Sequence, residues 1–199
     1  MSRAPSLAIL ILAAGRSRRM GRDKLMLRGH DGVSLLAKRI STALATGHGV
    51  FVALPARSPT RLTLVRQSLA TPLPCPDAGR GMGHSLAHAI GSLPKGLDGV
   101  LVLLADMPAL TLDDLMSLSD GFDPDRILRG ATQDNAPGHP VLIPARFLGR
   151  LSALEGDQGA HHVIADLPTR LIPLPADHAR FDVDTPSDWQ EWLDRSAPS

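Results

Sequence analysis

The sequence predicts an α/β protein built on a mostly parallel sheet, and three observations carry that reading. Leu7-Ala8-Ile9-Leu10-Ile11-Leu12 is an unbroken apolar run closed by Ala13-Ala14-Gly15, the pattern of a strand buried on both faces, as parallel strands are. Similar runs recur at Gly49 to Leu54 and at Gly99 to Ala105, each ending in a turn signal. Between the runs lie segments of helical character, Leu35 to Leu44, Thr60 to Leu69 and Ser85 to Leu93, so strand and helix alternate.

Past Asp106 the rhythm loosens. Leu112 to Leu118 reads as a helix, Gly138 to Ile143 as a strand, and Arg170 to Leu174 as another, with the direction of these strands left open. Pro186 to Leu193 reads as a final helix, because Thr185 stands at the N-cap and Pro186 in the first turn. The prolines fall at element ends, as at Pro55, Pro108, Pro140 and Pro186, and form no Pro-rich linker.

A chain of 199 residues that is 43% hydrophobic can bury one sizeable core, so residues 1–199 are expected to form a single domain. A net charge of +1 argues against a broad nucleic-acid footprint and confines any charge-driven function to a local patch. Cys75 is the lone cysteine, with no disulfide or Cys-metal partner, and fits a reducing cytoplasm. The apolar stretch Leu7 to Ala14 is expected to be a strand, not a secretion signal. Only Arg3 precedes it among the basic residues, and Arg16, Arg18 and Arg19 follow it. No segment approaches the roughly 20 apolar residues of a membrane span.

In open parallel sheets ligands collect beyond the carboxyl ends of the strands. The first loop there, Ala13 to Lys24, belongs to a stretch in which residues 16 to 28 carry Arg16, Arg18, Arg19, Arg22, Lys24 and Arg28 against the single acid Asp23. Small residues let backbone N–H groups approach an anion, and guanidinium forks match phosphate oxygens, so a triphosphate is the natural guest. The stretch is neither a P-loop, since Lys24 stands three residues after Gly21 and precedes Leu25, nor G-x-G-x-x-G. Gly79-Arg80-Gly81-Met82-Gly83 has half of the latter spacing but no strong strand pattern before it.

Leu104-Ala105-Asp106-Met107-Pro108 places a carboxylate at the end of a buried strand, on the same sheet edge as the basic loop. Phe181-Asp182-Val183-Asp184-Thr185 supplies a second acidic site. If it is extended, Asp182 and Asp184 share a face, and an oxygen-rich Mg²⁺ site shared with substrate phosphates can form. His84 and His88 are four apart without the glutamate of a zinc-hydrolase motif and read as an exposed helical face. Ser85 either helps hold a nucleotide or caps the helix expected to begin there.

Taken in order, six segments resemble the MobA-like NTP transferases, and within them the molybdenum cofactor cytidylyltransferase branch. They are Leu12 to Gly15 through Arg19-Met20-Gly21 and Lys24; Gly81-Met82-Gly83 with Ser85-Leu86; Asp106-Met107-Pro108; Gly138-His139-Pro140-Val141; Gly156-Asp157-Gln158-Gly159-Ala160; and Asp182 to Pro186. The resemblance implies a Rossmann-like GT-A-type fold, three-layer α/β/α with a mostly parallel sheet. It implies transfer of a nucleoside monophosphate to a phosphorylated acceptor with release of pyrophosphate. For the nearest branch the donor is CTP and the acceptor the molybdopterin form of the molybdenum cofactor, delivered in turn to a client molybdoenzyme. Leu12, Ala13, Ala14, Gly15, Arg19, Lys24, Asp77 and Ser85 would bind the nucleotide. Asp106 and Asp184 would hold Mg²⁺, or Mn²⁺, and His139 and Asp157 would lie on the acceptor side. The guanylyl branch usually carries Leu-Ala-Gly-Gly, so Ala14 points to cytosine. Gly159-Ala160-His161-His162 departs from the family's Gly-Ala-Arg, and Asp77 stands where relatives often have Asn.

The implied chemistry is in-line attack of an acceptor phosphate oxygen on the α-phosphorus, with Arg19, Lys24 and the Asp106 metal stabilising charge and no protein nucleophile. The competing readings are a guanylyl or sugar-phosphate nucleotidyltransferase on the same fold and a non-catalytic nucleotide-binding accessory of a molybdoenzyme.

Overall fold

A computed structural model describes residues 3–15, 17, 20–76, 78–152, 154 and 164–197. Seven strands form one sheet: β1 (Leu7–Leu12), β2 (Gly49–Pro55), β3 (Thr71–Cys75), β4 (Gly99–Leu104), β5 (Ile127–Ala131), β6 (Pro137–Pro144) and β7 (Thr169–Pro173). Their order is β3-β2-β1-β4-β6-β5-β7. β6 alone runs against its neighbours, pairing antiparallel with both β4 and β5, while the other pairings are parallel. The mostly parallel α/β architecture expected from the apolar runs is therefore present.

β1 lies inside the sheet, between β2 and β4, because its side chains are apolar in both directions. Ile9 and Ile11 face one layer, where they meet Leu36 and Ile40 of α1 (Leu35–Leu44), Val65 of α2 (Pro59–Arg66) and Leu115 and Leu118 of α4 (Leu112–Asp120). Leu10 faces the other layer, with Leu86, Ala89 and Ile90 of α3 (Met82–Gly91) and Leu151 of α5 (Ala145–Leu151). Side chains that alternate along a strand and are buried on both faces need two helical layers, and this sequence supplies them.

Two strands absent from the sequence reading have physical explanations. β3 reads Thr-Pro-Leu-Pro-Cys, and it is an edge strand paired with β2 alone. Pro72 and Pro74 are two apart, so the N–H groups they lack lie on one side of the strand, a loss that an edge tolerates. β3 also leads into the Gly79-Arg80-Gly81 segment, which does follow a strand. β5 contains Gly130, a residue that weakens a strand. A Cβ there would stand 2.6 Å from the His139 carbonyl of β6, so close backbone approach requires the glycine.

The last helix, α6 (Pro186–Arg195), begins as its sequence predicts: Thr185 accepts from the Asp188 N–H and Asp188 answers the cap backbone. α3 begins earlier than expected. Gly81, at φ 126°, precedes Met82, and Ser85 lies inside the helix, buried, with its hydroxyl toward the Gly81 carbonyl at 3.5 Å. Ser85 is therefore not a helix cap. Among the described residues no helix is long and apolar enough to cross a membrane.

Candidate active site

The strand order reverses between β1 and β4: the chain leaves β1 towards β2 and β3, then returns to the other side of β1 as β4. Loops diverge at such a point and leave a crevice beyond the carboxyl ends. Here the loop after β1 meets the loop after β4, with the Ala105 N–H donating to the Leu12 carbonyl at 3.2 Å. A cavity of about 480 Å³ opens there. Leu12, Ala13, Ala14, Gly15, Lys24, Ser85 and Asp106 line it, together with Gly79 to Met82 from the start of α3.

The third component comes from the far end of the chain. The Val183 N–H donates to the Asp106 carbonyl at 2.9 Å. The same segment is tied to α6, whose Asp188 accepts from the Asp184 and Thr185 N–H groups. Val183 and Trp189 pack with Met20, Leu27 and Leu35, which anchors this segment on the chain following the basic loop. Asp184 is thereby set beside Asp106.

Between them stands Lys24. Its ammonium lies 2.6 Å from Asp106 Oδ2 and 2.6 Å from Asp184 Oδ1. Its side chain is only 13% exposed. Burial by itself would lower the lysine pKa, but Asp106 first and Asp184 second outweigh that penalty and hold it above the ordinary value. Asp182, two residues before Asp184, has its pKa raised by partial burial and then by the charges of Asp184 and Asp106. Two carboxylates and one ammonium thus converge at this edge among the described residues.

The donor set suits a hard divalent cation. Asp106 and Asp184 already share one positive charge at 2.6 Å from each, so a cation fits between them, and both offer carboxylate oxygen. Among the described residues no group of three or more His, Cys, Asp and Glu side chains gathers to hold a metal. Such a site needs further oxygens, which Mg²⁺ ordinarily takes from substrate phosphates and water.

Two buried arginines unmarked by the sequence reading support the loops. Arg61 of α2, 4% exposed, donates to the Ala13 and Gly15 carbonyls at 2.6 and 3.1 Å and to both oxygens of Asp23 at 2.6 and 2.8 Å. Arg39 of α1, 2% exposed, donates to the Leu110 carbonyl at 2.9 Å and to the Met107 carbonyl. Burial pushes its pKa down to about 10, against the pull of Asp114 and Asp106. A basic residue on an amphipathic helix reads as solvated, and the sequence contains no signal that these two turn inward.

His139 lies on β6, partly buried and with its Nδ1 enclosed, away from the cavity wall. Its Nδ1 has no hydrogen-bond partner among the described residues. Burial, then the Arg129 charge, push its pKa down to about 4, so the ring is neutral near pH 7. Cys75 is 1% exposed and burial pushes its thiol up to about 11, which makes it an inert packing group. Arg19, Asp77 and Asp157, expected at the nucleotide and acceptor, lie outside the described residues, as do His161 and His162.

A profile of the MobA-like NTP transferase domain matches residues 9–171. The chain is 30% identical to the purine catabolism protein PucB of Bacillus subtilis, over 94% of this chain and 96% of that one. It is 26% identical to a probable molybdenum cofactor guanylyltransferase of Synechococcus elongatus, over 92% and 96%. Among solved structures, Rv0371c of Mycobacterium tuberculosis superposes with a TM-score of 0.81 at 24% identity, covering 94% of this chain and 98% of that one. A structure of Rv0371c in complex with manganese superposes at 0.77 with 22% identity, covering 96% and 100%.

Proposed function

This chain belongs to the MobA-like NTP transferase family, and from that premise we propose that it transfers CMP from CTP to a molybdopterin-type cofactor, releasing pyrophosphate. The single observation that carries the proposal is the Asp106–Lys24–Asp184 bridge at the mouth of a cavity lined by the loop after β1. A catalyst of phosphoryl-group transfer needs positioned positive charge more than it needs a nucleophile. Asp106 and Asp184 would hold a divalent metal, whose contribution would be Lewis-acid stabilisation of the reacting phosphate. Rv0371c, which shares this fold, has a structure in complex with manganese, and Mg²⁺ is the ion we propose for this chain.

In this reading the chain's own residues do four things. Ala13 to Gly15 offer small side chains and backbone against which a triphosphate can approach closely. Lys24, kept protonated by the two carboxylates, is available to pair with phosphate charge, and Arg19 adds to it. Ser85 lines the cavity from inside α3, its hydroxyl within reach of the Gly81 carbonyl. The acceptor phosphate is already ionised, so no general base is required. For the acceptor side we retain His139 and Asp157, His139 acting from within the fold as a neutral support beneath the Asp106 edge. The lone buried thiol of Cys75 supports a cytoplasmic setting.

Ala14 supports CTP, through the branch resemblance. The relatives named as molybdenum cofactor guanylyltransferases favour GTP as the second reading. The deciding experiment is pyrophosphate release from CTP, GTP, ATP and UTP with purified molybdopterin cofactor, with and without Mg²⁺. Metal-dependent release with CTP alone is the expected result. Selectivity for GTP would move the protein to the guanylyl branch, and silence from folded protein with all four would overturn transfer to this acceptor.

A further inference from the structure

We infer that Arg61 is a positioning residue for the nucleotide: it holds the loop after β1 in its binding shape from behind and sets where Lys24 stands. The inference rests on the proposed triphosphate site. Arg61 comes from α2, outside the motif segments, and reaches both ends of the loop. At the front it grips the Ala13 and Gly15 carbonyls, and at the back it forms a two-pronged pair with Asp23. Asp23 in turn accepts from the Leu25 N–H and caps the short 3₁₀ turn Lys24–Met26.

The front grip aims a donor. In a trans peptide the C=O and the following N–H point opposite ways across one plane. A guanidinium that takes the Ala13 carbonyl therefore turns the Ala14 N–H away from α2, and Ala14 lines the cavity. The back grip aims a charge. With Asp23 held by two bonds, the turn that begins at Lys24 has a fixed origin, and the Lys24 N–H is fixed further by Ser17 Oγ at 3.0 Å. One planar, always-charged side chain with five donors can make both grips at once, whereas an ammonium cannot.

The charge balance makes the role specific. The sequence between the two grips carries Arg16, Arg18, Arg19 and Arg22, like charges that an anion would offset. Arg61 adds another positive charge behind it, which is unfavourable unless the geometry it enforces is needed. Asp23 offsets that charge, and the carbonyls absorb the remaining donors, so the cost is met without drawing on the cavity face.

The test compares Arg61→Met, Arg61→Lys and Asp23→Asn with wild type. Binding of CTP and of GTP, each with Mg²⁺ and without acceptor, is measured by titration calorimetry beside steady-state kinetics and thermal melts. Arg61→Met is expected to weaken triphosphate binding roughly tenfold to a hundredfold, the scale of losing about 1 Å of positioning. KM for the triphosphate should rise in parallel while KM for the acceptor holds. Arg61→Lys should recover part of the loss, and Asp23→Asn should show a smaller loss in the same direction. A purely structural role would lower the melting temperature while the folded fraction bound triphosphate with wild-type affinity, and that result overturns the inference. If Arg61→Met does not fold, unchanged triphosphate affinity in Asp23→Asn and Arg61→Lys overturns it equally. A wild-type protein that binds neither triphosphate overturns the functional reading, and this inference with it.

Discussion

Lys24 Nζ donates to Asp184 Oδ1 at 2.6 Å, joining residues 160 positions apart in sequence. The contact closes the site. It brings the loop after the first strand to the segment before the last helix, beside the Asp106 carboxylate at the start of the loop after β4. One cation compensating two acids is also what a metal would do there, so a metal held as proposed would compete with the lysine for the same oxygens.

That competition predicts the behaviour of Lys24→Met. Without nucleotide, the variant should bind Mn²⁺ more tightly than wild type by roughly tenfold, equivalent to about 1.4 kcal/mol of removed competition. Turnover should fall, because phosphate charge loses its partner. Electron paramagnetic resonance titration of Mn²⁺ reads the first effect directly; affinity equal to or weaker than wild type would refute the shared position.

Asp106→Ala should abolish most metal-dependent pyrophosphate release, with kcat lower by about 10³-fold or more, while the melting temperature changes little, since Asp106 is partly exposed. Its backbone carbonyl, which holds Val183, survives the substitution. A folded variant that turns over normally would remove Asp106 from the metal site.

Arg39→Met should act mainly on stability. It strips the guanidinium from the Leu110 and Met107 carbonyls in a buried setting, a loss of about 2–4 kcal/mol. At about 2–4 °C per kcal/mol for a chain of this size, melting should fall by roughly 5–15 °C. The adjacent Asp106 should also lose alignment, lowering kcat in the molecules that remain folded. A melting temperature within 2 °C of wild type, on the order of the measurement error, would show that the β4 loop does not depend on this brace.

His139 predicts a dependence on pH. Its pKa falls from the ordinary 6.5 to about 4 in the folded protein, so between those values the unfolded chain binds more protons than the folded one. Stability is therefore full above pH 6.5 and declines as the pH drops towards 4, by about 3 kcal/mol from this group. Denaturant melts of wild type and His139→Asn across pH 4–7 test it. The variant should show the shallower slope, and equal slopes would assign the acid sensitivity to other groups.

Most of the site's chemistry is legible in the sequence. Leu12 to Gly15 and Asp106 stand where apolar runs end, Lys24 stands in the basic stretch that follows the first run, and buried strands in parallel sheets end at ligand crevices. Asp184 is marked by its place just before the capping pair Thr185 and Pro186. These signals are local: periodicity, capping residues and charge clustering act over a few positions, so the sequence by itself determined the α/β class, the central strands and the loops that line the cavity. Tertiary structure decided what depends on residues far apart. β3 and β5 are strands because a neighbour supplies an edge or needs a glycine, against their own weak propensity. Asp106 and Asp184 became a pair only when Val183 docked on the β4 loop. Arg39 and Arg61 would be solvated side chains on isolated helices; they turned inward because packed loops presented carbonyls and a carboxylate that only long-range folding could assemble.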